Sequence, residues 1–459
     1  MAKKLVLVVI DGLTPTMLER GIESGFAPTL ASLAAAGSYG RAISTFPSLT
    51  PVCLASITTG AHPDSHHIPH LVWYHRSERR LVEYGSSFAA ARRAGAMRWW
   101  RDTIFSLNGE HLAPGTLTLF ESLEDAGLTT AAVNTPCFRG RTPHAPTLPG
   151  MRRTVLGPSR FYYYNLFESD ATGGRLAIRS RSNGSVDDYA EAVGRWLVTR
   201  DGFDLLFYYL SDFDYASHAG GPDATAEALA RSDASVGALV EAAGGLDEFL
   251  DRYAVVVCSD HGQSSVVQSV RLERRFDDLT VSRPRGVARG SVVLAASNRA
   301  AMVYRLDGCP LEPAELALRL DAEPAADVVL YRQGGEAVAR RSGVELRFRP
   351  LGASWATSGE PRLLEQPGAF ERAWRALENP NAGDLIVSAA DGYEFVDLGG
   401  RHHRGGGSHG SLSAADSEVP MLVVGLPELP ATIAEIAPAV LRHFGVEPPS
   451  YGRRLPAAA

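Results

Sequence analysis

Five short apolar runs limit what this chain can fold into more than any other feature. They are Leu5–Ile10, Thr129–Val133, Leu205–Tyr209, Val255–Cys258 and Met421–Val424. None shows the polar alternation of a strand with one wet face, so they fit strands buried on both sides, as in parallel sheets covered by helices. Helical stretches stand between them: Pro28–Ala36 closed by Gly37, Leu117–Ala126 closed by Gly127, Val186–Thr199 and Thr225–Ala243. Alternating strands and helices with right-handed crossovers predict an α/β fold, a mostly parallel sheet with helices on both faces. In such a sheet the chemistry belongs to the loops at the carboxyl ends of the strands.

The 459 residues divide around that core. Residues 1–275 and 380–459 read as the α/β core, and 280–379 as a small α+β cap. In the cap, the strand-like segments Met302–Leu306, Asp327–Arg332 and Val344–Phe348 flank a helix near Pro313–Leu320. Residues 76–114, charged and irregular around Trp99-Trp100, and 141–183, which include Phe161–Tyr164, read as loop insertions. A 45% hydrophobic and 21% charged composition excludes a mostly disordered chain. A net charge of −7 excludes a broadly basic protein that tracks phosphate backbones, so polymeric nucleic acid is not an expected partner. The four cysteines show no C-x-x-C spacing. The N-terminal apolar run ends after six residues at Asp11-Gly12, which suits a first strand better than a signal peptide. No stretch approaches the ~20 apolar residues of a membrane span. The expected location is the cytoplasm, with no membrane partner.

Acidic and histidine residues fall where the strands end. Asp11 follows the first run directly, Asp214 and His218 follow the third, and Asp260-His261 follow the fourth. His409 stands before the last. A lone Asp at a strand end is more often a helix cap than a ligand. Three Asp and three His converging on one sheet edge instead match two adjacent metal sites. Asp212 and His402-His403 stand close by in sequence but read as a decoy and a polar loop. Thr50, ahead of Pro51 and an apparent helix, reads either as the helix N-cap or as a nucleophile at a helix N-terminus, and the two roles are compatible.

Taken in order, these segments resemble the alkaline phosphatase superfamily, most closely its type I phosphodiesterase/nucleotide pyrophosphatase branch. The resemblance rests on Val8-Val9-Ile10-Asp11-Gly12, then Phe46-Pro47-Ser48-Leu49-Thr50 with Thr59-Gly60 and Pro63-Asp64-Ser65-His66. It continues through Asp214, His218 and Gly221-Pro222, then Ser259-Asp260-His261-Gly262, and ends at Gly407-Ser408-His409-Gly410. It implies a two-metal phosphohydrolase acting on a small phosphorylated substrate, a phosphodiester or nucleotide pyrophosphate. Asp11, Thr50, Asp260 and His261 would hold one divalent ion, and Asp214, His218 and His409 the other. Zinc is the expected metal and manganese the alternative. Thr50 would form a covalent phospho-threonine.

One departure concerns substrate. Diester-cleaving relatives carry an Asn about twenty residues after the nucleophile, where this chain has Leu71. His70 is a candidate to replace it, and Leu71 and Trp73 are candidates for contact with substrate. A phosphonate hydrolase or phosphomonoesterase therefore stays open as an alternative, with Arg76, Arg79, Arg98 or Arg139 supplying the extra positive charge. So does a catalytically inactive metal-binding or phosphate-sensing protein. The sulfatase pattern is absent.

Overall fold

The computed structural model describes residues 2–147, 150, 152–164, 166–170, 185–452 and 455–456. Its main sheet has eight strands in the order Ser38–Ile43, Glu418–Val424, Tyr253–Cys258, Lys4–Ile10, Leu205–Leu210, Thr130–Val133, Arg160–Tyr163, Phe167–Asp170. The inner strands from Tyr253–Cys258 to Arg160–Tyr163 run parallel. The outer pairings are antiparallel. Burial explains why the first strand is apolar throughout. Leu5, Leu7 and Val9 enter the core on one face, while Val6, Val8 and Ile10 enter the core on the other. Neither face offers a backbone or side chain to water, which is the environment parallel strands require.

The predicted helices form at Pro28–Ala36, Leu119–Asp125, Val186–Arg200 and Ala226–Ala243. Thr118 and Glu121 close a capping box at the start of the second. Gly37 ends the first helix for a reason other than left-handed freedom. Its φ is −138°, but a Cβ there would lie 2.2 Å from the Val423 carbonyl oxygen.

Three boundaries differ from the sequence reading. The 76–114 segment is largely helical rather than irregular, with Phe88–Ala94 capped by Ser87, then Ala96–Arg101, then a wide π-helical stretch at Asp102–His111. The 141–183 segment is not simply a loop insertion, because Arg160–Tyr163 pairs in parallel with Thr130–Val133 and extends the main sheet. Its remainder from 171 onward lies outside the described residues. The cap is a seven-stranded antiparallel sheet in which Leu385–Ala389 is an inner strand between Ala300–Arg305 and Ala326–Gln333. The chain therefore returns to the cap after residue 380, where the sequence reading had returned it to the core. A strand of five buried residues looks the same in either sheet, and no local signal distinguishes them. The helix Pro313–Asp321 covers one face of the cap sheet. The other face joins the core cluster of the main sheet without a break.

Candidate active site

The carboxyl ends of the parallel strands meet the cap, and the candidate ligands gather there. Asp11 follows Lys4–Ile10, and its backbone N–H still donates to the Leu210 carbonyl. The next residue must be glycine: φ is +69° and a Cβ would lie 2.4 Å from the Gln263 amide. Asp260 and His261 follow Tyr253–Cys258. Asp214 and His218 lie one turn apart on the helix Asp212–Gly220, which puts them on one face, with His218 Nε2 3.2 Å from Asp214 Oδ2. His409 follows the short strand Gly407–Ser408.

All three histidines are oriented in the same way. Nδ1 of His218 lies 2.8 Å from the Gly407 carbonyl, that of His261 3.1 Å from the Gly262 carbonyl, and that of His409 2.8 Å from the Ser48 carbonyl. A carbonyl only accepts, so each Nδ1 donates and each Nε2 presents its lone pair to the site. This is how metal-binding histidines are held. His261 Nε2 stands 3.2 Å from Thr50 Oγ1, 3.3 Å from Asp11 Oδ1 and 3.4 Å from Asp260 Oδ2. Its ring stacks on that of His409 with centroids 3.6 Å apart.

The electrostatics call for cations. Asp11 Oδ1 and Asp260 Oδ2 are buried and lack hydrogen-bond partners, an expensive arrangement for carboxylates. Burial, with the repulsion of Asp260 and Asp214, pushes Asp11 well above the usual carboxylate range. Burial also raises Asp260. Burial works against ionisation of Asp214 too, but His218, His409 and His261 together hold it below its ordinary value. Ligand atoms of Asp11, Asp260 and His261 lie within 4.8 Å of one another, as do those of Asp214, His261 and His409. Orphaned carboxylate oxygens facing histidine lone pairs fit divalent cations.

Thr50 opens the helix Thr50–Thr59, but the N-cap is Leu49, and no side chain caps this end. The capping role therefore falls away. The Thr50 hydroxyl is left facing His261.

The sequence model of the type I phosphodiesterase / nucleotide pyrophosphatase family matches residues 5–412. The chain belongs to that family. It is accordingly an enzyme, a hydrolase of phosphorus esters. Comparison with curated protein sequences finds no match. Among solved structures, phosphonoacetate hydrolase from Sinorhizobium meliloti in complex with phosphonoformate superposes with a TM-score of 0.60 at 20% identity, covering 96% of each chain. An inactive variant of murine ectonucleotide pyrophosphatase/phosphodiesterase 5 in complex with AMP gives a TM-score of 0.63 at 13% identity, covering 98% of this chain and 97% of the other. At such identities the likeness is one of fold, an alkaline-phosphatase-like α/β architecture.

In this phosphodiesterase-family chain the site opens into a cavity of about 580 Å³. Thr50, Asp11, Asp214, His218 and His409 line it. Its walls are Tyr84, Trp99, Trp100 and Leu107 from the 76–114 segment and Tyr163 and Tyr164 from the edge of the main sheet. Leu71 reaches the cavity, but His70 and Trp73 do not. Both are fully buried. His70 Nδ1 accepts from the Val72 backbone, and Trp73 packs edge-on against His111. Trp73 lies in the core together with its neighbours Val72 and Tyr74.

Asp212 proves to be the decoy the spacing suggested, for its carboxylate accepts from the Asp187 backbone. His403 is a correction. It is no mere loop residue, since it lines the cavity, stacks on His218 at 4.0 Å and lies 3.0 Å from the Glu394 carboxylate. Sequence reading also missed Tyr209, which donates to Asp11, and Gln263, whose amide reaches Asp214. Asn298 was missed as well. It arrives from the cap, 3.1 Å from His409. Only Tyr209, at the end of a predicted strand beside Asp11, carried a usable signal.

Proposed function

We propose that this hydrolase cleaves phosphodiesters bearing an apolar or aromatic alcohol, including a nucleoside, through a covalent phospho-Thr50 intermediate. The observation that carries the reading is Thr50 itself. Its hydroxyl has no capping duty, faces His261 across from two orphaned carboxylate oxygens, and sits at the positive end of a helix dipole. Asp11, Thr50, Asp260 and His261 would hold one divalent ion, and Asp214, His218 and His409 a second, zinc by donor type with manganese as the alternative. When bound, such ions supply Lewis-acid stabilisation and lower the pKa of a coordinated hydroxyl. Thr50 Oγ1 then forms the new bond to phosphorus as the alcohol's P–O bond breaks in line. Water attacking phosphorus from the opposite face breaks the phospho-threonine bond and releases the monoester.

Charge favours a diester over a monoester or a carboxylated phosphonate. A diester carries one negative charge, and the others carry more. Among the described residues lining the cavity there is no Lys or Arg. Of the candidate arginines, Arg76 lies over the Tyr304 ring and donates to the Ala382 carbonyl, and Arg139 is spent on Glu121 and on backbone carbonyls. A small apolar-substituted phosphate also suits a partner list without nucleic acid polymers. Among the described residues no helix is long and apolar enough to cross a membrane.

The test is hydrolysis of bis-p-nitrophenyl phosphate against p-nitrophenyl phosphate, with zinc or manganese added and EDTA as control. The expected result is an EDTA-sensitive preference for the diester. Faster turnover of the monoester would move the assignment to a phosphomonoesterase.

A further inference from the structure

The wall of the cavity at Leu71 is apolar, yet a neutral hydrogen-bond donor enters beside it from the cap. Asn298 sits in the hairpin turn between the cap strands Val292–Ser297 and Ala300–Arg305. It is 5% exposed and lines the cavity. His70, the neighbour of Leu71, lies against the Ala300 backbone, so the turn and the Leu71 segment are adjacent.

The turn is held in place on every side. Asn298 has φ +56°, a conformation Asn accepts better than most side chains. Its carbonyl accepts from the Phe395 backbone at 2.8 Å, and the next residue, Arg299, donates its N–H to the His409 carbonyl at 2.8 Å. The fully buried Arg299 guanidinium is paired with the equally buried Asp416 at 2.9 Å. Ser297 Oγ donates to Asn298 Oδ1 at 2.7 Å, which leaves the amide nitrogen turned towards the site. There its partner is His409 Nε2 at 3.1 Å. That lone pair is the atom His409 would give to a metal, since its Nδ1 is already spent on Ser48. Once it is given, the Asn298 amide needs another acceptor, and the cavity offers a phosphoryl oxygen.

We propose that Asn298 is a substrate-binding catalytic residue, its amide donating from the cap to a non-bridging phosphoryl oxygen where Leu71 supplies nothing. This rests on reading the site as a phosphoryl-transfer centre. Ser297 is the positioning residue that orients the amide.

The test uses the full-length, metal-loaded protein and inorganic phosphate as the probe, titrated calorimetrically into wild type, Asn298→Gly and Asn298→Asp. Glycine keeps the left-handed backbone and deletes the amide, while aspartate keeps the shape and replaces the donor with a negative charge. The expected result is a Kd for phosphate about tenfold higher in Asn298→Gly and higher still in Asn298→Asp, with metal content and melting temperature unchanged. In parallel, kcat/KM for bis-p-nitrophenyl phosphate should fall about 100-fold in Asn298→Gly. A phosphate Kd within twofold of wild type in Asn298→Gly would overturn the proposal. So would metal content that drops in Asn298→Gly and returns in Asn298→Asp, which would mark a metal ligand instead. If the wild type binds phosphate but cleaves no diester, the diester reading fails and the phosphate titration alone decides on Asn298.

Discussion

The floor and the walls of the cavity are built by different rules. The floor consists of charged and titratable side chains at strand ends, each fixed by hydrogen bonds: three histidines pinned through Nδ1 to backbone carbonyls, and Asp11 held by the Tyr209 hydroxyl. The walls are aromatic rings on inserted helices and on the strand Arg160–Tyr163, held mainly by packing, such as Trp99 edge-on to Trp100 and Tyr163 edge-on to Tyr164. The floor suits one chemistry because its candidate ligand atoms converge within 4.8 Å of one another and a small shift would separate them. The walls admit alternatives, because ring contacts tolerate exchange and tune which alcohol fits.

The comparison breaks most visibly at Thr50, the proposed nucleophile. Thr50→Ala should lower kcat on bis-p-nitrophenyl phosphate by more than about 10³-fold, with metal content and fold retained. Near-normal turnover in stopped-flow or steady-state assays would remove Thr50 from the floor.

Acid should next act on the layer behind the walls. Burial lowers His70 from 6.5 to about 4 and His111 from 6.5 to about 3, and His111 Nδ1 lies 2.7 Å from the hydroxyl of the wall residue Tyr84. Both stay neutral in the folded state. The stability they contribute is complete above pH 6.5 and is lost as pH falls to about 4 for His70 and about 3 for His111, on the order of 3 kcal/mol for His70 alone. Urea midpoints measured across that window should fall, and His70→Asn should flatten the slope.

Removing a support of the floor should cost less. Tyr209→Phe deletes the hydroxyl that orients Asp11 and should weaken metal affinity about 10- to 100-fold, read by competition with a chelator. The smallest effect should come from the walls. Trp99→Ala should raise KM for the aryl diester several-fold while leaving kcat and metal content nearly unchanged. A collapse of metal content in that variant would erase the distinction between floor and wall.

The same distinction governs what the sequence made legible. Leu5–Ile10 and its sister strands announced themselves because burial on two faces leaves no polar residue, and Asp11, Asp214, Asp260 and His409 stood out at their ends. Their convergence at one sheet edge was expected, and the structure gathers Asp11, Asp260 and His261 in one cluster and Asp214, His261 and His409 in another. What stayed hidden was assembled at long range. Asn298 meets His409 across more than a hundred residues, and His403 meets His218 only because Glu394 holds it there. Leu385–Ala389 carried no mark of which sheet it would join. Trp73 misled because an aromatic ring suits a substrate wall as well as a core, and it packs in the core beside His111.

The continuity of the cap sheet with the core cluster bears on how the molecule comes apart. Ile386, Leu330 and Ala373 of the cap share one apolar cluster with Leu5 and Leu7 of the main sheet and Val52 of the helix Thr50–Thr59. A second sheet with its own sealed interior would melt separately and could be clipped away as an independent piece. Here each sheet seals one face with its own helices but shares the other with its neighbour, so calorimetry should record one transition, with the heat of both sheets in a single peak.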